Sequence, residues 1–283
     1  MRVITIGDFD GVHCGHQAIL QQLNRWATSL QAEPMVVTFE GNTKGSRYIT
    51  DIRQKQRYLL QYGAAACKVL SFEEWKNVSA EDFVRYLKEE LQVVGVACGK
   101  DFRFGKDRAG TEFTLIAGGI SVKKIENVTS EDVRISSSAI RTALAKGDLE
   151  QVEKWLGHPY ELMGEVCRGK GLARQFGLPT VNLALEEQRL LPPFGVYAAY
   201  VCIGEERYPA VANIGVRPTV EQHGLPNLEA HILGEVPELY GTEIRVELCS
   251  YLRKEQKFET EEALFLQIQE DRERSKARLE MLK

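Results

Sequence analysis

The first half of the chain sets short strand-like runs apart with longer stretches of helical spacing. The runs are RVITIG (2–7), MVVTF (35–39), CKVLSF (67–72), VVGVACG (93–99) and ISVKKIE (120–126). Apolar stretches of this length fit strands buried on both faces. Between them, residues 16–31, 53–62 and 79–91 carry apolar side chains three and four apart, which predicts helices. Strand and helix alternate, so the expected fold is an α/β, Rossmann-like parallel sheet covered on both faces. Two more helices are expected at about 137–147 and 148–156, ending at Gly157-His158-Pro159.

From Tyr160 the rhythm changes. ELMGEVC, LPTVNLAL, GVYAAYVCIG, YPAVANIG, LEAHILG and TEIRVELCSYL follow one another with turns between them. Short strands at this spacing predict a small antiparallel β-barrel. A helix over about 260–281 closes the chain, with Leu264, Ile268, Leu279 and Leu282 as an apolar stripe for docking on the barrel. The expected domains are therefore 1–158 and 159–283, with little or no linker and no internal repeat.

Composition narrows the class. The 283 residues are 43% hydrophobic and 27% charged, as in a globular protein. A net charge of −4 and a pI near 5.9 argue against general affinity for nucleic acid or anionic membrane. No apolar run approaches the ~20 residues that span a bilayer. The N-terminal MRVITIGDFDG has no secretory core and runs straight into a strand, which points to the cytoplasm. The six cysteines include no C-x-x-C pair, so buried reduced thiols are expected rather than a zinc site.

Chemistry-bearing residues collect in a few stretches. In GDFDGVHCGHQAIL (7–20), Gly7 ends a strand, while Gly11 and Gly15 let the backbone approach a ligand closely. A helix starting near Gly15–His16 aims N–H groups and a positive dipole end at that turn, a phosphate site by geometry. His13 and His16 stand where both imidazoles can donate to the same phosphate oxygens. In RISSSAIRTAL (134–144), Ser136, Ser137 or Ser138 caps a helix. Arg141 then falls near the helix start, where a bound anion would offset its conflict with the dipole. CGKDFRFGKDRAG (98–110) mixes Gly, Phe and basic residues after an apolar strand, which suits a planar ring with a phosphate tail. In GEVCRGKGLARQFGLPTVNLAL (164–185), Gly169 and Gly171 flank Lys170, and Arg174 follows; such a loop can wrap phosphates, though it is not a P-loop. Thr180 and Asn182 share one strand face, opposite Val181, Leu183 and Leu185, and offer hard oxygens suited to Mg²⁺. In LEAHIL (228–233), Glu229 and His231 share a face, and a carboxylate there can act as a general base. Each stretch alone also admits a plainer reading: partly exposed histidines, a surface arginine, a basic surface loop, a half-wet strand, a solvated glutamate.

Taken in order, these stretches resemble the bacterial bifunctional riboflavin kinase/FAD synthetase family over nearly the whole chain. GDFDGVHCGH is similar to the family's H-x-G-H nucleotidyltransferase signature, and GKDFRFGKDRAG and ISSSAIR to its next two motifs. GLPTVNL is similar to the kinase P-T-x-N signature, and VANIGVRPT, LEAHIL, LYGTEIRVEL and LRKEQKF to later kinase segments. The resemblance implies two ATP-dependent reactions with Mg²⁺: riboflavin to FMN in the C-terminal domain, and FMN to FAD plus pyrophosphate in the N-terminal domain. It implies Glu229 as kinase base and Thr180 and Asn182 as metal ligands. It places His13 and His16 in adenylyl transfer, with Gly7, Phe9, Asp10, Gly11, Gly15, Ser137, Ser138 and Arg141 around the nucleotide. It places Gly169, Lys170, Gly171 and Arg174 on the kinase nucleotide, and Asp101, Phe102 and Phe104 on the flavin. The chain departs from the pattern after the second strand, where VTFEGNTKGSRYIT (37–50) lacks the family's proline-histidine-proline. Ala173 also stands where glycine is usual. A kinase with a weak or inactive adenylyltransferase half is the alternative reading, and a non-catalytic flavin- or nucleotide-binding regulator is another; riboflavin, FMN and ATP are the expected small-molecule partners.

Overall fold

A computed structural model describes residues 1–40, 47–125, 129–130, 133–167, 180–216, 226–236 and 239–282, with backbone alone for 129–130 and 133–134. The chain divides into two compact units, Met1–Ser137 and Ser138–Lys283.

In the first unit, strands β1 (Arg2–Ile6), β2 (Glu33–Glu40), β3 (Ala66–Ser71), β4 (Val93–Gly99) and β5 (Ser121–Ile125) fall on the five predicted runs. They form one parallel sheet of order β3-β2-β1-β4-β5. Helices α1 (Cys14–Ser29), α2 (Ile52–Gln61) and α4 (Ala80–Glu89) match the expected helices. Two helices escape the periodicity because they are too short to show one: α3 (Phe72–Trp75) and α5 (Glu112–Ala117). A two-residue ladder, β6 (Thr129–Ser130) with β7 (Val133–Arg134), precedes the unit's end.

The strand runs are apolar without alternation because both faces are covered. Ile4, Met35 and Val96 face Phe83, Val84 and Leu87 of α4 and Leu115 of α5. Val3, Val36 and Ala97 point the other way, into Leu20, Leu23 and Ala27 of α1 and Tyr58 and Leu59 of α2. Burying a leucine such as Leu20 or Leu23 contributes about 1.5–3 kcal/mol. The chain leaves β1 toward β2 but reaches β4 on β1's other side. That reversal opens a crevice at the carboxyl ends of β1 and β4, where sheets of this kind bind ligands.

In the second unit, α6 (Ser137–Ala145), which begins at the first unit's last residue, and α7 (Leu149–Leu156) lead into six strands. These are β8 (Tyr160–Cys167), β9 (Thr180–Ala184), β10 (Gly195–Ile203), β11 (Glu206–Val216), β12 (Pro226–Ile232) and β13 (Glu243–Arg253), each on a predicted run. They close into an antiparallel barrel of order β10-β11-β12-β9-β8-β13. The register stacks Val181, Ala230 and Ala212 in one buried row and Leu183, Leu228 and Ile214 in another. Polar residues between these positions point to the other face.

Helix α8 (Glu261–Glu280) docks on β10, β11 and β13. Of the expected stripe, Leu279 is buried and Leu264 and Ile268 are half-buried, whereas Leu282 lies past the helix end and is 53% exposed. Polar contacts join the stripe in the seam. The Arg253 guanidinium grips the buried Asp271 carboxylate through Nε at 2.9 Å and Nη2 at 2.6 Å, and the Ser275 hydroxyl donates to the Ala210 carbonyl at 2.8 Å. A hydrophobic periodicity does not register contacts of this kind.

Candidate functional site

The loop from β1 to α1 is held in an uncommon shape. Phe9, Gly11 and Val12 have φ of 51°, 86° and 38°. Glycine adopts this region freely; for the other two it costs on the order of 1 kcal/mol each. Burial of both side chains, Phe9 at 4% and Val12 at 0% exposure, offsets that strain. Helix α1 then begins at Cys14, two residues earlier than His16, with His13 as its cap. The His13 carbonyl accepts from Gln17 N–H at 3.0 Å, and its Nδ1 accepts from His16 N–H at 3.3 Å. A neutral imidazole that accepts at Nδ1 carries its proton at Nε2, which makes that nitrogen the donor of the His13 ring. The two imidazoles stack with centroids 3.6 Å apart, and the Phe9 ring meets His16 edge-on at 5.0 Å. Both histidines thus stand together at a helix N-terminus. Gly15 lies beside them, where a Cβ would come 3.1 Å from the His13 ring.

Asp10 is buried and faces inward. Its Oδ1 accepts from the N–H groups of Ile49 at 2.8 Å and Thr50 at 3.1 Å. Gly11 N–H donates to Thr50 Oγ1 at 3.0 Å, and the Ser137 hydroxyl donates to the Asp10 carbonyl at 2.9 Å. These contacts tie residues 49–51 and the start of α6 to the loop. Ser138, exposed, and Arg141, half-buried, lie on the part of α6 that belongs to the second unit. Residues 41–46 of the altered loop lie outside the described residues.

A cavity of about 500 Å³ sits at the carboxyl ends of the sheet, bounded by Gly7, Asp8, Phe39, Phe72, Trp75 and Phe83 and by the segment 101–108. Asp101, Phe102 and Phe104 all line it. The Phe102 and Phe104 rings stack at 5.6 Å. Six aromatic rings line the wall, and Asp8, Lys76, Asp101, Arg103, Asp107 and Arg108 supply charge of both signs. Sequence reasoning missed Trp75, which sits in the one-turn α3, and missed Asp8 with its partner Lys55. Lys55 Nζ lies 3.4 Å from Asp8 Oδ1 and donates to the Phe39 carbonyl at 3.1 Å. The available signal was a lysine on the same helix face as Tyr58 and Leu59, three and four residues on.

On the barrel, pairing brings the two polar strand faces together. Asn182 stands directly opposite Glu229, and Thr180 opposite His231. The equal spacing of Thr180-x-Asn182 and Glu229-x-His231 makes a four-residue patch once the strands run antiparallel. Thr180 Oγ1 and His231 Nδ1 are 2.9 Å apart. Burial pushes the His231 imidazole down to about 4; Arg272 adds to the depression and Asp271 opposes it. His231 is therefore neutral at pH 7. When its proton is on Nε2, Nδ1 accepts from the Thr180 hydroxyl. Thr180 and Asn182 supply neutral hard oxygens, a set that fits a divalent cation whose shell phosphates complete. Gly169, Lys170, Gly171, Ala173 and Arg174 lie outside the described residues.

Comparison with known proteins decides the assignment. Residues 1–139 match the FAD synthetase family model, and residues 156–279 match the riboflavin kinase model. The chain is 39% identical to a bifunctional riboflavin kinase/FMN adenylyltransferase of Pseudomonas fluorescens, over 95% of this chain and 90% of that one. The protein of that name from Escherichia coli (strain K12) matches at the same identity and coverage. The chain belongs to the bifunctional riboflavin kinase/FMN adenylyltransferase family. The family's Bacillus subtilis (strain 168) member is 33% identical over 96% of this chain and 90% of that one. A crystal structure described as a macrolide-efflux protein from Streptococcus pneumoniae superposes with a TM-score of 0.84 at 27% identity, covering 97% of this chain and 93% of that one. Among the described residues, no helix is long and apolar enough to cross a membrane. As a member of the family, the protein is an ATP-dependent transferase that phosphorylates riboflavin to FMN and adenylylates FMN to FAD.

Proposed function

We propose that the two reactions use separate sites: the histidine loop and aromatic cavity of the first unit for adenylyl transfer, and the Thr180/Asn182/Glu229 patch for phosphorylation. The observation that carries the kinase half is the strand register, which sets the Glu229 carboxylate directly across from Asn182 and His231 directly across from Thr180. The nucleophile is a ribityl hydroxyl, poor until it loses its proton. Glu229 takes that proton as the oxygen forms its bond to the γ-phosphorus of ATP and the bond to ADP breaks. Thr180 and Asn182 would hold Mg²⁺, which when bound would supply positive charge against the transferring phosphates, and His231 orients the Thr180 hydroxyl.

In the first unit the nucleophile is the phosphate of FMN, already anionic at pH 7, so no base is needed. Its oxygen bonds to the α-phosphorus of ATP and pyrophosphate leaves. The protein's part is position and charge. His13 and His16, with the first-turn amides of α1, hold the polyphosphate. The cavity lined by Asp101, Phe102, Phe104 and Trp75 takes the flavin ring. Incubation with ATP and Mg²⁺, starting separately from riboflavin and from FMN, tests the reading. FMN and then FAD are expected from the first, and FAD from the second. FMN accumulating with no FAD in either reaction would leave the kinase alone active, and neither product forming would remove catalysis altogether.

A further inference from the structure

Strand β11 sets Asn213 directly opposite Glu229 on the side away from Asn182. The row Asn182–Glu229–Asn213 thus crosses three strands on the polar face of the barrel. Asn213 belongs to VANIGVRPT, whose residues have no part in the chemistry above. Its Nδ2 donates to Glu255 Oε1 at 3.0 Å. A carboxylate only accepts, so this contact orients the amide, with Nδ2 toward Glu255 and Oδ1 turned away. Glu255 reaches Asn213 across Gly215, where a Cβ would lie 2.1 Å from Glu255 Oε1. The Asn213 Oδ1 atom is buried and has no hydrogen-bond partner among the described residues. Protein interiors seldom leave such an acceptor unmatched, since it forfeits a bond it had with water.

Directly opposed residues of an antiparallel pair have Cβ atoms about 4.5–5.5 Å apart. A polyol whose terminal hydroxyl meets Glu229 carries its next hydroxyl within reach of the neighbouring strand. We propose that Asn213 is a specificity-determining residue of the kinase site, its Oδ1 accepting a hydrogen bond from the hydroxyl adjacent to the nucleophilic one. The site then recognises a vicinal polyol rather than any flavin-linked primary alcohol. A site built to bond a hydroxyl rejects an analogue without it, because the protein's acceptor stays buried and unmatched. This rests on Glu229 as the kinase base.

The test compares kcat/KM for riboflavin and for its 4′-deoxyribityl analogue, with Mg²⁺ and ATP saturating. The native protein is expected to prefer riboflavin by about tenfold or more, tenfold being ~1.4 kcal/mol. In Asn213→Ala the preference falls to within about twofold, because riboflavin loses its partner and the analogue loses nothing. Glu255→Gln, a change at an exposed position, frees the amide to flip and lowers the preference severalfold without threatening the fold. Urea unfolding followed by the fluorescence of Trp155, which lies in the same unit as the barrel, monitors folding in both variants. An undiminished preference in Asn213→Ala, or in Glu255→Gln if the first variant does not fold, overturns the proposal, as does a native enzyme indifferent to the 4′-hydroxyl. Glu229→Gln separates the two claims: retained turnover there removes the base, whereas the hydroxyl preference reads Asn213.

Discussion

Replacing Asp10 with alanine isolates the contact that holds residues 49–51 against the β1–α1 loop. The carboxylate is 3% exposed, and its two backbone donors, Ile49 and Thr50, are buried with it. A hydrogen bond to a charged group contributes about 1.5–3 kcal/mol, so two contribute ~3–6 kcal/mol. Water entering the space left by the carboxylate recovers part of this, leaving an expected loss of about 3 kcal/mol. Asp10→Asn keeps an oxygen where both N–H groups can find it and should lose about half as much. Urea unfolding followed by tryptophan fluorescence measures both, since Trp26 and Trp75 lie in the first unit. The loop carries His13, so under conditions where the variant is folded FAD formation should fall about tenfold or more, ~1.4 kcal/mol of transition-state stabilisation. Riboflavin phosphorylation should stay near its native rate. An Asp10→Ala variant within about 0.5 kcal/mol of native stability would refute the reasoning, because it would mean that the buried donors do not depend on this carboxylate.

Three further outcomes follow from packing and burial. Gly95→Ala places a Cβ 2.6 Å from the Trp26 ring; overpacking a rigid indole should cost about 1–3 kcal/mol, read as a lower melting temperature. Arg253→Ala leaves the 2%-exposed Asp271 carboxylate without its guanidinium and should cost about 3–5 kcal/mol in urea unfolding. The Cys202 and Cys249 thiols are both pushed up to about 12, chiefly by burial and then by Glu247. A raised thiol stays protonated, so labelling of these two by a thiol reagent should be negligible at pH 8 and rise only as pH approaches 12 or on unfolding; rapid native labelling at pH 8 would contradict this.

Much of the fold was legible because burial on both faces leaves a plain trace. VVGVACG reads as a strand from its apolar run alone, and β4 spans those residues. The barrel strands announced themselves by length and turn spacing. Helix α3 did not, since four residues hold barely one turn. The apolar stripe of α8 shows only part of its dock, because a carboxylate and a hydroxyl, Asp271 and Ser275, fill buried positions between its leucines. The histidine pair was visible as residues, but not the stacking or the proton position on His13, which depend on Nδ1 capping its own helix. Asp10 reads from the sequence as a ligand contact, whereas its side chain turns to Ile49 and Thr50, about forty residues on. Thr180, Asn182, Glu229 and His231 were each visible, yet their juxtaposition depends on a register between strands 51 residues apart in the case of Thr180 and His231, and pairing at that distance is decided by the closed barrel.

The most direct measurement follows both products in Glu229→Gln and His16→Ala, each assayed from riboflavin and from FMN. If phosphoryl and adenylyl transfer occupy different places, the first variant loses FMN formation and still converts supplied FMN to FAD, while the second makes FMN and stalls there. Equal damage to both steps by either change would contradict the account.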